Sequence, residues 1–220
     1  MPRKAALVVA AVLAVAAAGA ALFAAATAPQ PASAVRPRAG TDVASPRPDG
    51  SAPAPSRAAG RTAAGPSVDE ALRRLDLIKP ARQKAADDFT LPTLDGGTFR
   101  LADQRGKVVL VNFWATWCPP CLEEMPAMQR LWARHKDAGF VLVAVSLDAD
   151  SKKVPPFVKA HGLAFSIALD PKMEVADKYG VRALPSSFVV DRQGTMTGLA
   201  LGPRHWDDAN AHGLVQAMLR

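Results

Sequence analysis

The chain has 220 residues and a formal net charge of +7, from 27 Lys and Arg residues against 20 Asp and Glu residues. This length allows one domain with a full hydrophobic core once a targeting segment is set aside. The charge is uneven: residues 1–80 carry a net +5 (10 basic, 5 acidic) and residues 81–220 carry +2 (17 basic, 15 acidic). A nucleic-acid-binding domain would carry its basic side chains on the folded part, so this distribution argues against nucleic acid as a partner.

An uncharged, alanine-rich run occupies residues 5–28, directly after Arg3 and Lys4. At about 1.5 Å per helical residue, this run covers the roughly 30 Å hydrocarbon core of a bilayer. Small-x-small patterns at residues 26–28 and 32–34 also fit cleavage of a signal peptide. We therefore predict a signal peptide or a transmembrane anchor over residues 1–28, and the length favours the anchor. In both cases the basic start stays in the cytoplasm and the rest of the chain lies outside it.

Residues 29–66 are rich in Ala, Pro, Ser, Gly and Arg and contain no Leu, Ile or aromatic residue. Such a segment buries too little apolar surface to offset the entropy of ordering, so we predict a disordered tether. In residues 67–80, four apolar residues recur at near-helical spacing, and Ser67 with Glu70 forms a capping-box pattern. We predict a short helical segment that docks on the domain; a helix that binds a partner is the alternative.

The remaining residues, 81–220, alternate between strand-like and helix-like patterns. A glycine-containing turn at residues 95–97 predicts a β-hairpin at the start of the domain. Unbroken apolar runs at residues 107–115 and 140–147 are typical of strands buried on both faces. Helices are predicted at residues 118–135, 152–161, 173–179 and 207–220, and a second hairpin at residues 188–190 and 198–201. Strands that alternate with helices predict an α/β domain whose mainly parallel sheet ends in an antiparallel hairpin.

The two cysteines of the chain, Cys118 and Cys121, lie where the first buried strand passes through a short turn into a helix. Free N–H groups and the positive dipole end at a helix N-terminus stabilise a thiolate, so Cys118 is predicted to be the nucleophile. Cys121 lies nearly one turn further on, in reach of a mixed disulfide at Cys118, and is predicted to be the resolving thiol. This spacing therefore indicates a redox-active dithiol that uses no cofactor beyond its own disulfide.

A zinc site is the competing interpretation of two cysteines separated by two residues. The chain has no third cysteine, and its four histidines lie far from the pair in sequence. Because a zinc site needs further cysteine or histidine ligands, we predict no metal site. We expect Trp206 in the core and the histidines at the surface, namely His135, His161, His205 and His212.

The segment VVLVNFWATWCPPCLEEMP, residues 108–126, resembles the active-site segment of the TlpA/ResA-like thiol–disulfide oxidoreductases of the thioredoxin superfamily. The resemblance extends over residues 87–220. It implies a thioredoxin-like fold, with a central mixed sheet flanked by helices and an N-terminal β-hairpin extension. It also implies a cis peptide bond between Leu184 and Pro185, which would present an edge, together with Trp117, for an extended substrate.

Glu124 lies three residues after Cys121, on the same face of the predicted helix. A matching acid in ResA-like proteins implies that the Glu124 carboxylate takes the proton of Cys121 when that thiol attacks. Thioredoxin carries its buried acid at the position of Asn112, and an asparagine accepts no proton at neutral pH. Glu124 is therefore the candidate general base, and the alternative is a solvated helix residue like Glu123.

The resemblance implies an enzyme that acts on protein disulfides at the bacterial inner membrane, facing the periplasm, or after secretion into the periplasm. It also implies a membrane thiol electron donor of the DsbD/CcdA type and clients of the cytochrome c or copper-centre assembly type. Relatives of the CcmG type, which are dedicated to cytochrome maturation, carry a glutamate where this chain has Ser186. The difference favours a broader reductase.

Other functions use the same dithiol. A Cu(I) carrier would bind the metal through both thiolates, and a disulfide oxidant would reverse the electron flow; both alternatives stay open. Peroxide reduction needs a Pro-x-x-x-Thr-x-x-Cys context, and Thr116 lies in the wrong register for it.

Overall fold

The computed structural model describes residues 65–220. The predicted signal peptide or anchor, residues 1–28, and all but the end of the predicted tether, residues 29–66, lie outside the described residues. The helices of the described part are α1 (Val68–Arg74), α2 (Pro119–His135), α3 (Val154–Ala160), α4 (Glu174–Lys178) and α5 (Ala209–Leu219). None of these helices is long and apolar enough to span a bilayer.

The strands of the described part are β1 (Lys84–Ala85), β2 (Thr90–Pro92), β3 (Thr98–Arg100), β4 (Val108–Trp114), β5 (Phe140–Ser146), β6 (Ser166–Leu169), β7 (Ser186–Val190) and β8 (Thr195–Leu201). Six of them form a mixed sheet in the order β1-β8-β7-β4-β5-β6, and β2 pairs with β3 in a separate hairpin. β4, β5 and β6 are parallel, whereas β7 runs antiparallel to β4 and β8, and β1 runs antiparallel to β8. The expectation of a mainly parallel sheet is wrong, because three of its five strand pairs are antiparallel. A central mixed sheet flanked by helices, with a hairpin before its central strand, confirms the predicted thioredoxin-like fold.

All seven residues of β4 are buried, as the apolar run predicts. Side chains alternate across a strand, so β4 contributes to the core on both faces of the sheet. One core contains residues of α2 and α5, and the other contains residues of the β2–β3 hairpin; β4 gives Val108, Leu110 and Trp114 to the first and Val109, Val111 and Phe113 to the second. Asn112 has the same parity as the first set and points toward α2. The strand that leads to the cysteines is thus fixed from both sides.

α1 lies within the segment for which a short helix is predicted. The hydroxyl of Ser67 accepts a hydrogen bond from the backbone N–H of Glu70 at 3.2 Å, which is one half of the predicted capping box. Leu72 is 2 % exposed and joins the same core as residues of α5. α1 is therefore docked on the domain.

Two strands of the sheet, β1 and β6, are not predicted from the sequence. β6 contains serine and alanine, which are weak strand formers, and it pairs in parallel with β5. β1 consists of two exposed residues that pair with β8. Both strands form because β5 and β8 offer free edges for pairing, and the local pattern of residues 84–85 and 166–169 does not reveal this pairing.

His135 contradicts the expectation that the histidines lie at the surface, because it is 5 % exposed. Its Nε2 atom lies 2.9 Å from Nδ1 of His212, and Nε2 of His212 lies 3.0 Å from the carboxylate of Asp207. This chain of polar groups joins the end of α2 to α5, and the mutual hydrogen bond offsets the cost of burying the ring. His161 and His205 are exposed, as expected.

We expect acid to weaken this junction. Burial lowers the pKa of His135 below its ordinary value of 6.5, and the neighbouring His212 adds to the effect. A group whose pKa is lowered by folding contributes stability above its unfolded pKa, and that stability is lost as the pH falls. The free energy of unfolding, measured by urea denaturation, should therefore decrease from about pH 7 to about pH 5, and less steeply in His135→Gln.

The matched control is His161→Gln, at an exposed position, which should keep the pH dependence of the unchanged protein. If His135→Gln keeps that same dependence, His135 is not the group responsible.

Candidate active site

Cys118 is the N-cap residue directly before α2, and Cys121 lies in the first turn of that helix. The two cysteines form a disulfide, with their Cα atoms 5.3 Å apart. Pro119 and Pro120 open the helix and have no N–H group, and the N–H groups of Cys121 and Leu122 both donate to the carbonyl oxygen of Cys118. The first turn thus offers Cys118 no free backbone donor, contrary to the prediction, and α2 acts on this sulfur through its dipole.

The two sulfurs differ in access. Cys118 is 5 % exposed and Cys121 is fully buried. A cleft of about 480 Å³ opens beside Cys118. Its walls are mainly apolar side chains, among them Trp117, Leu147, Met173, Val181 and Leu184, and Arg182 also lines it. A substrate sulfur that enters this cleft therefore meets Cys118 first.

The Leu184–Pro185 peptide bond is cis, the isomer that the resemblance implies. Leu184 lines the cleft together with Trp117, whose side chain is 66 % exposed. The carbonyl oxygen of Pro185 accepts a hydrogen bond from the N–H of Gly202 at 2.9 Å, so the turn after β8 holds this loop. The structure thus brings the predicted substrate-binding residues to the same edge of the sheet as Cys118.

Asp148 fixes the turn that leads from β4 to Cys118. Its carboxylate accepts hydrogen bonds from the backbone N–H and the hydroxyl of Thr116, at 3.0 and 2.6 Å, and from the hydroxyl of Ser146 at 2.8 Å. The side chain is 2 % exposed, and these donors compensate for its burial. Asp148 is not among the site residues predicted from the sequence. Its position just after β5, at the sheet edge where β4 also ends, is the signal that could have revealed it.

Glu124 is buried on α2, one turn after Cys121, with 4 % of its surface exposed. Its Oε1 atom accepts a hydrogen bond from Nδ2 of Asn112 at 2.9 Å. Its Oε2 atom accepts from the backbone N–H of Arg204 at 3.2 Å and from Nε1 of Trp206 at 3.0 Å. Asn112 and Glu124 are therefore neighbours in the buried core, beneath the end of α2 that carries the disulfide.

Burial controls the protonation of Glu124. Desolvation raises the pKa of its carboxyl to about 7, although the hydrogen bonds from Arg204, Trp206 and Asn112 favour the charged form. A pKa near neutral pH suits a group that accepts and returns a proton. Glu123 is exposed, so the alternative that Glu124 is a solvated residue like its neighbour is wrong.

Trp206 is 2 % exposed and lies in the core, as expected, but its indole N–H also holds the carboxylate of Glu124. Neither this contact nor the one from Arg204 is predicted from the sequence. The partners lie 82 and 80 positions from Glu124, so no local pattern reveals them. Within residues 65–220, no group of three or more His, Cys, Asp and Glu side chains is placed to hold a metal ion.

Known proteins share this domain. The model of the AhpC/TSA family matches residues 82–198, just over half of the chain. A thiol-disulfide oxidoreductase ResA of Bacillus thuringiensis (strain Al Hakam) is 38% identical over 119 residues, which cover 54% of this chain and 69% of the relative. The ResA protein of Geobacillus thermodenitrificans (strain NG80-2) is 38% identical over 127 residues, which cover 58% and 73%.

Solved structures agree with these relatives. A structure from Chlorobium tepidum, described as a thiol:disulfide interchange protein DsbE, has a TM-score of 0.60 and 36% identity over 66% of this chain and 99% of its own. A second thiol:disulfide interchange protein, from Chlorobium tepidum TLS, has a TM-score of 0.57 and 29% identity over 64% and 99%. The chain therefore belongs to the AhpC/TSA family, within the thioredoxin-like proteins, and is a thiol–disulfide oxidoreductase of the ResA/DsbE type.

Proposed function

We propose that this oxidoreductase reduces disulfide bonds of client proteins outside the cytoplasm. The observation that carries the proposal is the arrangement of three groups on α2. Cys118 borders an apolar cleft, Cys121 is buried behind it, and the carboxyl of Glu124 lies one turn further along the helix with a pKa of about 7. These are the positions that an attacking thiol, a resolving thiol and a proton acceptor need.

The first step is the attack of the Cys118 thiolate on a client disulfide in the cleft. The dipole of α2 favours the thiolate at this position. As the bond from Cys118 to one client sulfur forms, the client disulfide breaks, and the other client sulfur leaves as a thiolate that is protonated by solvent. Client and enzyme are then joined by a mixed disulfide.

The second step is the attack of Cys121 on the sulfur of Cys118. The Cys121 thiol transfers its proton to the carboxylate of Glu124 as its sulfur forms the new bond. The remaining client sulfur leaves as a thiolate and takes the proton from Glu124. Two electrons have then passed from the dithiol to the client, and the Cys118–Cys121 disulfide is restored.

A further thiol donor must reduce that disulfide before the next cycle. We assign this task to a membrane donor of the DsbD/CcdA type, because residues 3–28, two basic residues followed by an apolar run, fit an anchor or an export signal. The clients that we propose are of the cytochrome c or copper-centre assembly type. The apolar cleft, with Trp117 66 % and Met173 42 % exposed, suits an extended client segment with apolar side chains beside its cysteine.

Replacement of each cysteine should separate the two steps. Cys118→Ser should abolish the reduction of a disulfide-bonded client, because it removes the attacking sulfur. Cys121→Ser should accumulate a mixed disulfide with the client, visible as a higher-mass band on a non-reducing gel. Normal turnover by Cys121→Ser would contradict the assignment of Cys121 as the resolving thiol.

Replacement of Glu124 should slow the second step. In the unchanged protein the resolution rate should rise with pH through about 7, because the base acts in its deprotonated form. In Glu124→Gln this dependence should disappear, and the rate at pH 7 should fall about a hundredfold. The rate is measured by quenching the decay of the mixed disulfide at timed intervals; the matched control, Glu123→Gln at the exposed neighbour, should behave like the unchanged protein.

The direction of electron flow is tested by the reduction potential of the Cys118–Cys121 pair, measured by equilibration with glutathione or dithiothreitol buffers. A reductant should give a value near or below about −270 mV, the range of thioredoxin. A value near about −120 mV would instead make the protein a disulfide oxidant, the alternative left open by the sequence.

A further inference from the structure

The side chain of Arg204 forms hydrogen bonds with two separate segments of the chain. Arg204 lies in the loop between β8 and α5, and 17 % of its side chain is exposed. Its guanidinium donates to five carbonyl oxygens at 2.9 to 3.3 Å. Three belong to the last residue of β8 and the loop after it, namely Leu201, Gly202 and Pro203. Two belong to the residues that follow α1, Leu75 and Asp76. The planar, five-donor guanidinium suits such a contact, because no other side chain can serve so many acceptors at once.

The two carbonyls from α1 belong to a defined helix end. The N–H of Leu77 donates to the carbonyl of Leu72 at 2.9 Å, and the N–H of Asp76 to that of Arg73 at 3.0 Å, which together form a Schellman motif. Asp76 takes the left-handed conformation of that motif, with φ 52°. The guanidinium binds the carbonyls just beyond this end, where a cation is also favoured by the helix dipole.

The backbone of the same residue contacts the active site. The N–H of Arg204 donates to Oε2 of Glu124 at 3.2 Å, and Trp206, two residues later, donates to the same oxygen at 3.0 Å. A displacement of α1 that pulls on the guanidinium would therefore displace a hydrogen-bond donor of the buried carboxyl.

The groups that face Glu124 come from three elements. Asn112 faces it from β4, Cys121 precedes it on α2 in a disulfide that does not titrate, and Trp206 and Arg204 face it from the loop before α5. The guanidinium is the charged group that acts on the carboxyl, and it lowers the pKa of Glu124 against the larger, opposite effect of burial. The salt bridge of Arg204 with Asp76 is 3.3 Å long, but the Asp76 side chain is 97 % exposed, so it adds little.

We propose that Arg204 is a positioning residue that couples the docking of α1 to the buried carboxyl of Glu124. Through Arg204, the position of α1 determines how readily the carboxylate of Glu124 accepts the proton of Cys121. The inference rests on the proposed role of Glu124 as the base of the second step.

The test is the pKa of Glu124 in the full-length oxidised protein, followed by the ¹³C NMR shift of its δ-carbon. Arg204→Ala should raise that pKa by about half a pH unit or more, because a cation and the anchoring of a donor are lost. Arg204→Lys keeps the charge but not the multiple donors, so its pKa should lie between those of Arg204→Ala and the unchanged protein. In the reduced protein, the pH dependence of resolution should move to higher pH by the same amount in each variant.

The matched control is Arg192→Ala. Arg192 also donates to backbone carbonyls, of Gly106 at 3.0 Å and Leu219 at 3.5 Å, but at the opposite end of β4 from the cysteines. This variant should leave the pKa of Glu124 unchanged. If Arg204→Ala and Arg204→Lys also leave it unchanged, the positioning role is wrong.

A double-mutant cycle tests the coupling to α1. Leu72→Ala removes a side chain that holds α1 to the core, so it should also raise the pKa of Glu124. In the Arg204→Ala background it should have no further effect, whereas additive effects would contradict the coupling. The proposed role of Glu124 as the base is tested separately, because normal resolution by Glu124→Gln would contradict it whatever the pKa of Glu124 does. Failure of the base role and failure of the positioning role of Arg204 are therefore distinguishable.

Discussion

The buried carboxyl of Glu124 is the constraint that the active-site end of the structure depends on. Burying a carboxylate costs several kcal/mol unless donors replace water. Here the donors come from a side chain on the central strand and from a backbone N–H and an indole on the loop before the last helix. Three parts of the chain must therefore meet at one point of α2, the helix that also carries Cys121 and is capped by Cys118.

A second buried carboxylate, that of Asp148, contacts the turn between β4 and Cys118. Its role differs from that of Glu124 because its hydrogen-bond partners differ. Asp148 accepts hydrogen bonds from two hydroxyls and a backbone N–H, which hold the turn before Cys118 in place. Glu124 instead has a pKa of about 7 and is suited to accept a proton. The environment of Asp148 thus suits it to support the turn, whereas the environment of Glu124 fits the role of proton acceptor that we propose for it.

The predictable part of the site is the part that is continuous in sequence. β4, the turn and α2 form one uninterrupted segment, so the apolar run, the cysteine spacing and the position of Glu124 three residues later indicated the dithiol and its neighbour directly. The parts that the sequence did not reveal depend on contacts between distant segments. Arg204 contacts Glu124 although the two residues lie 80 positions apart in sequence. β6 forms by pairing with β5, and His135 is buried because His212 offers it a hydrogen-bond partner.

The indole of Trp206 has a consequence of its own. Its N–H donates to an oxygen of Glu124, so the charge beside this ring changes each time the carboxyl gains or loses a proton. The emission of an indole responds to a charge at its N–H. Trp206 is therefore an indole whose emission should respond to the protonation of Glu124, against the emission of the other three tryptophans of the chain.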